Sequence, residues 1–193
     1  MKKLFTLCQL TILLISVDAF SQESPSPFLA KFLIEGGLEY GGDEILKIFF
    51  TNGEDQVMRA GQGGTIAVGG QFEFSEIDKL LVRTTIGFKY NTTAAENANI
   101  RLTRIPLTLV PYWKINNNFR LGVGITSHQG VKFKGDGFVS DIQFKSTIGP
   151  RVEFGYKWFA LTYTAINYKT PLEETFSASS VGLSLSAALP ERR

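Results

Sequence analysis

Cysteine, histidine and long apolar runs are all scarce in this sequence. Cys8 is the sole cysteine and His128 the sole histidine among 193 residues. One cysteine cannot close an intrachain disulfide, and the sequence has no cluster of histidine, cysteine or paired carboxylates at metal-ligand spacing. We therefore expect no metal, no cofactor and no catalytic residues, and a fold stabilised without covalent crosslinks.

Clustered charge of one sign is also missing. The chain has 20 Lys and Arg against 18 Asp and Glu, which gives a formal net charge of +2. A nucleic-acid-binding protein needs a concentrated basic face, so this balance predicts no nucleic-acid partner. No apolar run reaches the roughly 20 residues of a membrane-spanning helix.

The N-terminus has the pattern of a secretory signal peptide. Lys2 and Lys3 precede a mainly apolar run over residues 4–17, and Ala19-Phe20-Ser21 supplies small residues at a cleavage site before Gln22. We predict a signal peptide over residues 1–21 and one mature domain over residues 22–193. Cleavage removes Cys8 and leaves a net charge of +1.

Apolar and polar residues alternate along eight segments of the mature chain. Successive side chains of a strand point to opposite faces, so each segment predicts a strand that is apolar on one face. About 9–11 tilted residues cross a bilayer, and the segment over residues 141–156 exceeds that length. The predicted strands cover residues 29–40, 65–74, 80–90, 101–113, 119–128, 141–156, 159–168 and 181–189.

The connections between these segments alternate in length. Short connections cover residues 75–79, 114–118 and 157–158, whereas long ones cover residues 41–64, 91–100, 129–140 and 169–180. Outer-membrane barrels have short periplasmic turns and longer external loops. The sequence therefore predicts an all-β, eight-stranded antiparallel up-and-down transmembrane β-barrel. A soluble periplasmic barrel that binds a small ligand is the alternative.

Charged residues recur on the polar face, which would line the lumen. An eight-stranded barrel is just wide enough for its own side chains, and an unpaired buried charge is costly. We therefore expect these residues to pair across the lumen as a plug, with an ion path as the alternative. The predicted network is Glu35, Glu39, Glu73, Arg83, Lys89, Arg104, Arg120, Lys145, Arg151 and Glu153.

Ser127 and His128 are the one pair that could suggest a lipid-modifying enzyme. A nucleophilic serine needs its histidine base within hydrogen-bond distance. Adjacent residues of a strand lie on opposite faces, so Ser127 would face lipid and His128 the lumen. This arrangement argues against catalysis.

The first long loop carries an apolar stretch. Residues 44–50 and 56–59 flank Asn52-Gly53, which predicts a hairpin with a tight turn that extends the first two strands above the membrane. Its apolar side chains either pack on neighbouring loops or form a contact patch for a partner. The candidate patch is Ile45, Leu46, Ile48, Phe49 and Phe50.

With its signal peptide, alternating loop lengths, Gly61-Gln62-Gly63-Gly64 before a strand with Gly69-Gly70, and Arg104-Ile105-Pro106-Leu107, the chain resembles small outer-membrane β-barrel proteins of Gram-negative bacteria. These form the porin-family or OmpA/OmpX-like group. The resemblance covers roughly residues 28–189. One departure is the C-terminus: such proteins often end on an aromatic residue that the assembly machinery recognises, whereas this chain continues past Leu189 to Arg193.

The resemblance implies an outer-membrane location. The implied partners are outer-membrane lipid, lipopolysaccharide and the outer-membrane assembly machinery, with an extracellular or envelope protein as a further candidate. The favoured function is a non-enzymatic protein that is structural or contacts partners through its external loops. A narrow solute pore and, less favoured, a lipid-modifying enzyme are the alternatives.

Overall fold

A computed structural model describes residues 28–49, 55–93 and 99–190 of the chain. The predicted signal peptide and Phe50 lie outside the described residues. The strands in these ranges are β1 (Phe28–Tyr40), β2 (Glu44–Phe49), β3 (Asp55–Arg59), β4 (Gly63–Phe74), β5 (Leu80–Thr92), β6 (Arg101–Lys114), β7 (Phe119–Lys134), β8 (Ile142–Ser146), β9 (Ile148–Tyr156), β10 (Phe159–Thr164), β11 (Asn167–Lys169), β12 (Thr175–Ser177) and β13 (Ser180–Leu189).

The strands form a closed antiparallel barrel. β1 pairs with β4 on one side and with β13 on the other, so the wall has no free edge. Three positions of the wall are each shared by two consecutive strands: β8 with β9, β10 with β11, and β12 with β13. Together with β1, β4, β5, β6 and β7 they give eight positions around the wall. The predicted fold class, an eight-stranded up-and-down barrel, is confirmed.

The outer surface of the wall is apolar. Leu38 is 73% exposed and Ile66 is 72% exposed, values that would be costly in water but suit a lipid environment. Exposed aromatic side chains lie near the barrel ends, including Tyr40, Trp113 and Trp158. Within the described residues, no helix is long and apolar enough to cross a membrane.

The two ends of the barrel differ. At one end, which we call the short-turn mouth, turns over residues 75–79, 115–118 and 157–158 join neighbouring strands. At the other end, the long-loop mouth, β7 reaches Lys134 and β2 and β3 form a separate two-stranded sheet. β2 and β3 pair with each other, as predicted for the hairpin, but they form a sheet of their own and do not prolong β1 and β4. The predicted turn at Asn52-Gly53 lies outside the described residues.

The predicted single strand over residues 141–156 is divided at Thr147. Ile148 and Val152 of β9 are exposed on the outer surface, whereas Phe144 of β8 is buried inside. β7 changes face at the same level, where Gly130 adopts a φ of 56° and the β6–β7 register shifts. Paired strands must change face together, so β8 follows β7.

Candidate functional site

Arg151 lies at the centre of the lumen and contacts three carboxylates. Its Nε donates to Glu153 Oε1 at 2.5 Å and its Nη1 donates to Glu39 Oε1 at 2.8 Å. Glu35 Oε1 lies 3.8 Å from Nη2. Lys89 Nζ completes the group by donating to Glu39 Oε2. We call Glu35, Glu39, Lys89, Arg151 and Glu153 the central ion cluster.

Tyr112 closes this cluster toward the short-turn mouth. Its hydroxyl donates to Glu153 Oε2 at 2.6 Å, and its ring is 2% exposed. Both oxygens of Glu153 are therefore engaged, one by a cation and one by a phenol. Hydrogen bonds of this kind offset the cost of burying a carboxylate in a region of low dielectric.

The base of the β2–β3 hairpin forms part of the wall of this site. The backbone carbonyl of Gly61 accepts a hydrogen bond of 2.7 Å from Lys89 Nζ. A Cβ at Gly61 would lie 2.7 Å from the carbonyl oxygen of Ala178 and 2.8 Å from that of Ser179. Only glycine allows the chain to approach residues 178–179 this closely, so residue 61 places an acceptor over the central ion cluster.

Arg104 lies beside the central ion cluster and is less completely paired. Its side chain is 1% exposed and its Nη2 donates to the backbone carbonyl of Gln62. No carboxylate of the described residues lies within ion-pair distance of it, and its Nε and Nη1 have no hydrogen-bond partner in that part of the chain. Arg104 therefore makes the lumen more positive toward the long-loop mouth.

His128 and Ser127 have different partners. His128 Nδ1 lies 2.5 Å from Tyr168 Oη inside the barrel, whereas Ser127 Oγ accepts a hydrogen bond of 2.9 Å from Gln129 Nε2. Tyr168 lies above the apolar belt, since its neighbours Asn167 and Lys169 are polar and exposed. Burial raises the pKa of Tyr168 to about 12, so this phenol is neutral at pH 7.

An apolar cluster covers the ions at the long-loop mouth. We call it the apolar lid. It is built from inward side chains of the extended strands and from the hairpin base. Its buried members are Met58, Ala60, Ile100, Leu102, Val131, Phe133, Phe144, Ile166, Tyr168 and Ala178.

The candidate contact patch is divided by this lid. Ile45, Leu46 and Ile48 pack against it, so these side chains have an internal partner. Phe49 is 75% exposed, and Lys47 Nζ lies 5.1 Å from the centre of its ring. Of the patch residues that the structure describes, only Phe49 therefore presents a large apolar side chain to the surroundings.

The cavity at the centre of the lumen has a volume of about 20 Å³. Its lining includes Glu35, Glu39, Lys89, His128 and Arg151. Roughly 10–15 Å³ holds one water molecule, so the cavity accommodates about one water and no larger solute.

A second polar group surrounds the short-turn mouth. Glu73 Oε1 accepts hydrogen bonds of 2.7 Å from Lys31 Nζ and from Gln71 Nε2, and Lys114 Nζ lies 3.7 Å from Glu73 Oε2. Arg83 donates through Nε to Gln71 at 2.8 Å and through Nη1 to Ser186 Oγ at 2.9 Å. We call Lys31, Arg83, Lys114 and Arg120 the mouth cations.

The structure distributes the predicted network over these places. Glu35, Glu39, Lys89, Arg151 and Glu153 come together. Arg104 lies above them, while Glu73, Arg83 and Arg120 lie at the short-turn mouth. The expectation for Lys145 was wrong: its side chain is exposed on the outer side of β8, because the strand changes face at Thr147.

Three participants were absent from the predicted network. Tyr112 binds Glu153, and Lys31 and Lys114 bind Glu73. Lys31 lies on the same face of β1 as Leu33 and Glu35, so the alternation in this strand could have identified it as an inward residue. The pairing of Tyr112 with Glu153 joins positions 41 residues apart and leaves no local signal.

The described residues contain no group of three or more His, Cys, Asp and Glu side chains that could hold a metal ion. The carboxylates in the lumen instead accept hydrogen bonds from Arg, Lys and Tyr side chains. The arrangement holds opposite charges together inside a barrel that carries long loops at one end. A closed eight-stranded barrel with an apolar outer belt is the architecture of small outer-membrane barrel proteins.

No protein-family model matches the chain, and no curated protein matches it. Solved structures of small barrels do. Ail, the attachment invasion locus protein of Yersinia pestis, is 12% identical with a TM-score of 0.44, over 82% of this chain and 97% of that chain. Its complex with the heparin analogue sucrose octasulfate gives a TM-score of 0.42 at the same identity and coverage. Neisserial surface protein A is 11% identical with a TM-score of 0.39, over 84% and 99% of the two chains.

Proposed function

We propose that this protein is a non-enzymatic outer-membrane barrel whose lumen is closed to solutes and whose long loops contact partners outside the cell. The observation that carries the closed lumen is the contact of Arg151 with Glu39, Glu153 and Glu35 around a cavity of about 20 Å³. The ions act as a plug, and the apolar lid separates them from solvent at the long-loop mouth. An eight-stranded wall leaves no further room for a channel.

Exposed apolar side chains beyond the membrane belt support the role of the loops. Phe49 lies in the hairpin, Phe138 between β7 and β8, and Leu172 between β11 and β12, and all three are largely exposed. All three lie in long loops, so these positions are the candidates for contact with a partner. The partner is an envelope or extracellular protein, or lipopolysaccharide.

Conductance across a lipid bilayer tests the closed lumen. The purified mature chain should show the heat-dependent gel mobility of a closed barrel and should give no stable current steps. Arg151→Ala paired with Glu39→Ala should shift the baseline toward leakage, because both sides of the central contact are removed. Steady single-channel steps in the wild-type chain would instead establish the narrow pore.

Cysteine labelling tests the location and the orientation. Cys8, inside the predicted signal peptide, is the chain's sole cysteine, so a single introduced thiol reports cleanly. Leu172→Cys in a long loop should react with a membrane-impermeant maleimide on intact cells. Asn117→Cys in the turn between β6 and β7 should react only after the outer membrane is permeabilised. The reverse pattern, or recovery of the chain in the soluble periplasm, would disprove the proposal.

A further inference from the structure

The short-turn mouth contains a cavity that the closed lumen does not require. It has a volume of about 600 Å³ and opens at the end of the barrel. Cavities of roughly 300–1,000 Å³ are the size range of small-ligand sites. Its lining combines the four mouth cations with Asn116, Asn117, Asn118, Trp158 and residues 186–188 of β13.

The charges around this cavity are unbalanced. Lys31, Arg83, Lys114 and Arg120 face a single lining carboxylate, Glu73, which leaves a surplus of three positive charges. Lys157 also lines the cavity, with its Nζ 5.5 Å from the centre of the Tyr156 ring, and a cation beside a ring keeps its charge, so three is the smallest surplus that the lining gives. Deeper in the lumen, Glu35 and Glu153 are already bound to Arg151, and Tyr112 occupies Glu153 from the cavity side.

Arg120 is the mouth cation whose unpaired nitrogen atoms are evidence for a ligand. It is 7% exposed, its Nη1 donates to the backbone carbonyl of Lys157, and its Nε and Nη2 have no partner among the described residues. A buried guanidinium group without partners costs free energy, so a native structure that keeps one calls for an explanation. Neither atom has accessible surface in this conformation, so an oxyanion in the adjacent cavity would accept these hydrogen bonds once the guanidinium group turns toward it.

The residues around Arg120 leave room for its side chain and hold it in place. A Cβ at residue 155 would lie 2.7 Å from Arg120 Cζ, so Gly155 provides the space in which the guanidinium rests. Arg83 Cζ lies 5.3 Å, and Arg120 Cζ 5.7 Å, from the centre of the Tyr112 ring. One aromatic ring thus holds two guanidinium groups beside the same cavity, despite their repulsion.

We infer that the short-turn mouth binds a phosphate-bearing group, with Arg120 and Arg83 as its principal ligands and Lys114 at the rim. The planar guanidinium fork matches the oxygens of a phosphate group, and a surplus of three positive charges suits a dianion better than a single carboxylate. The phosphate belongs either to a small soluble ester or to the headgroup of a phospholipid in the adjoining leaflet. Binding is independent of conductance, so the closed lumen and this site can fail separately.

Titration of the full mature chain in maltoside micelles, which contain no phosphate, tests the site. The probe is sn-glycerol 3-phosphate, with glycerol as the uncharged control. Trp158 lines the cavity, so a Trp113→Phe background leaves Trp158 as the sole indole reporter. We expect a saturable fluorescence change, together with backbone amide shifts confined to residues 116–119 and 186–188.

Substitutions of the mouth cations test whether these side chains bind the phosphate. Arg120→Gln should weaken binding about tenfold or more, since it removes a charge-assisted contact. Lys114→Gln, whose side chain is 31% exposed, should fold normally and weaken binding a few-fold, which keeps the test valid if Arg120→Gln does not fold. Lys145→Gln removes an exposed cation at the opposite end and should leave binding unchanged.

The source of the phosphate follows from a second titration with micelles doped with phosphatidylglycerol. If the lipid produces the same amide shifts and competes with glycerol phosphate, the ligand is a headgroup. If only the soluble ester binds, the ligand is a soluble phosphate ester. Two results would overturn the inference: no change at Trp158 with either probe, or equal weakening by Lys145→Gln and Lys114→Gln.

Discussion

Arg151 Nη1 lies 2.8 Å from Glu39 Oε1, although the two residues are 112 positions apart in the chain. They belong to β9 and β1, which do not pair with each other, so the contact crosses the lumen. The guanidinium group also contacts Glu153 and Glu35. One cation therefore bridges carboxylates of β1 and β9, and without it these three negative charges would repel one another.

Arg151→Gln is expected to destabilise the barrel by about 3–5 kcal/mol, the cost of leaving buried charges without a partner. Urea titration in micelles, with folded and unfolded chains separated by gel mobility, measures the free energy of unfolding. Lys145→Gln is the matched control and should change it by less than about 0.5 kcal/mol, because this cation is exposed. A loss below about 1 kcal/mol for Arg151→Gln would show that the ions contribute little to closure.

The apolar lid gives a second stability prediction. Phe133 is buried within it, whereas Phe138 is 67% exposed in the following loop. Phe133→Ala should cost about 3–5 kcal/mol through lost burial and the cavity left behind. It should also make the hairpin more sensitive to added protease, because the lid packs against Ile45, Leu46 and Ile48.

Phe138→Ala serves as the comparison for this substitution. We expect it to change the free energy of unfolding by less than about 0.5 kcal/mol and to leave the protease pattern as in the wild-type chain. If both phenylalanine variants behaved alike, the apolar cluster would be a loose contact between loops and not a lid.

The barrel wall was accessible from the sequence because its signal is local. Alternation in β1 or β7 is visible within ten residues, and the lengths of connections are read directly from the chain. Membrane strands need one face for lipid, so the pattern specifies both the strand and its orientation. The same alternation places Glu35, Lys89 and Arg151 on the inward face, where their side chains line the central cavity. That the charges act as a plug stays a prediction.

The expectations that failed depended on contacts between distant residues. Lys145 follows the alternation of Arg151 and Glu153 in sequence, but the change of face at Thr147 matches a bulge at Gly130 in the neighbouring strand. The hairpin sequence likewise predicts two strands. Its packing position, however, depends on distant residues such as Leu102 and Phe133. Neither the partner strand nor the lid can be read from the segment itself.

A substitution at Gly61 tests whether the hairpin base must approach the backbone of residues 178–179. In Gly61→Ala the new Cβ would lie 2.7 Å from the carbonyl oxygen of Ala178, which has no flexible atoms to move away. We expect destabilisation of about 1–3 kcal/mol, as for other overpacked sites, measured by urea titration.

Gly36→Ala is the matched control for Gly61, since a Cβ at residue 36 has its nearest neighbour, the carbonyl oxygen of Thr65, at 3.9 Å. Its effect should stay within about 0.5 kcal/mol. Equal effects of the two substitutions would mean that the carbonyl of Gly61 reaches Lys89 without a close approach of the backbone.

Tyr168 predicts a loss of stability at high pH. Burial raises its pKa from 10.0 to about 12, with Arg104 opposing the shift. Below pH 10 the phenol is neutral in the folded and unfolded chains. Between pH 10 and 12 the unfolded chain releases the proton first, so stability should fall by about 2–3 kcal/mol from this residue.

Tyr168→Phe isolates this contribution, because every other group that titrates above pH 10 is common to both chains. At pH 8 the variant should be less stable by about 1 kcal/mol, since it loses the hydrogen bond between Tyr168 Oη and His128 Nδ1. As the pH rises to 12 its free energy of unfolding should decline less steeply than that of the wild-type chain, and the two curves should cross. Curves that stay parallel up to pH 12 would mean that the phenol titrates equally in both states, and that the apolar lid admits water to Tyr168.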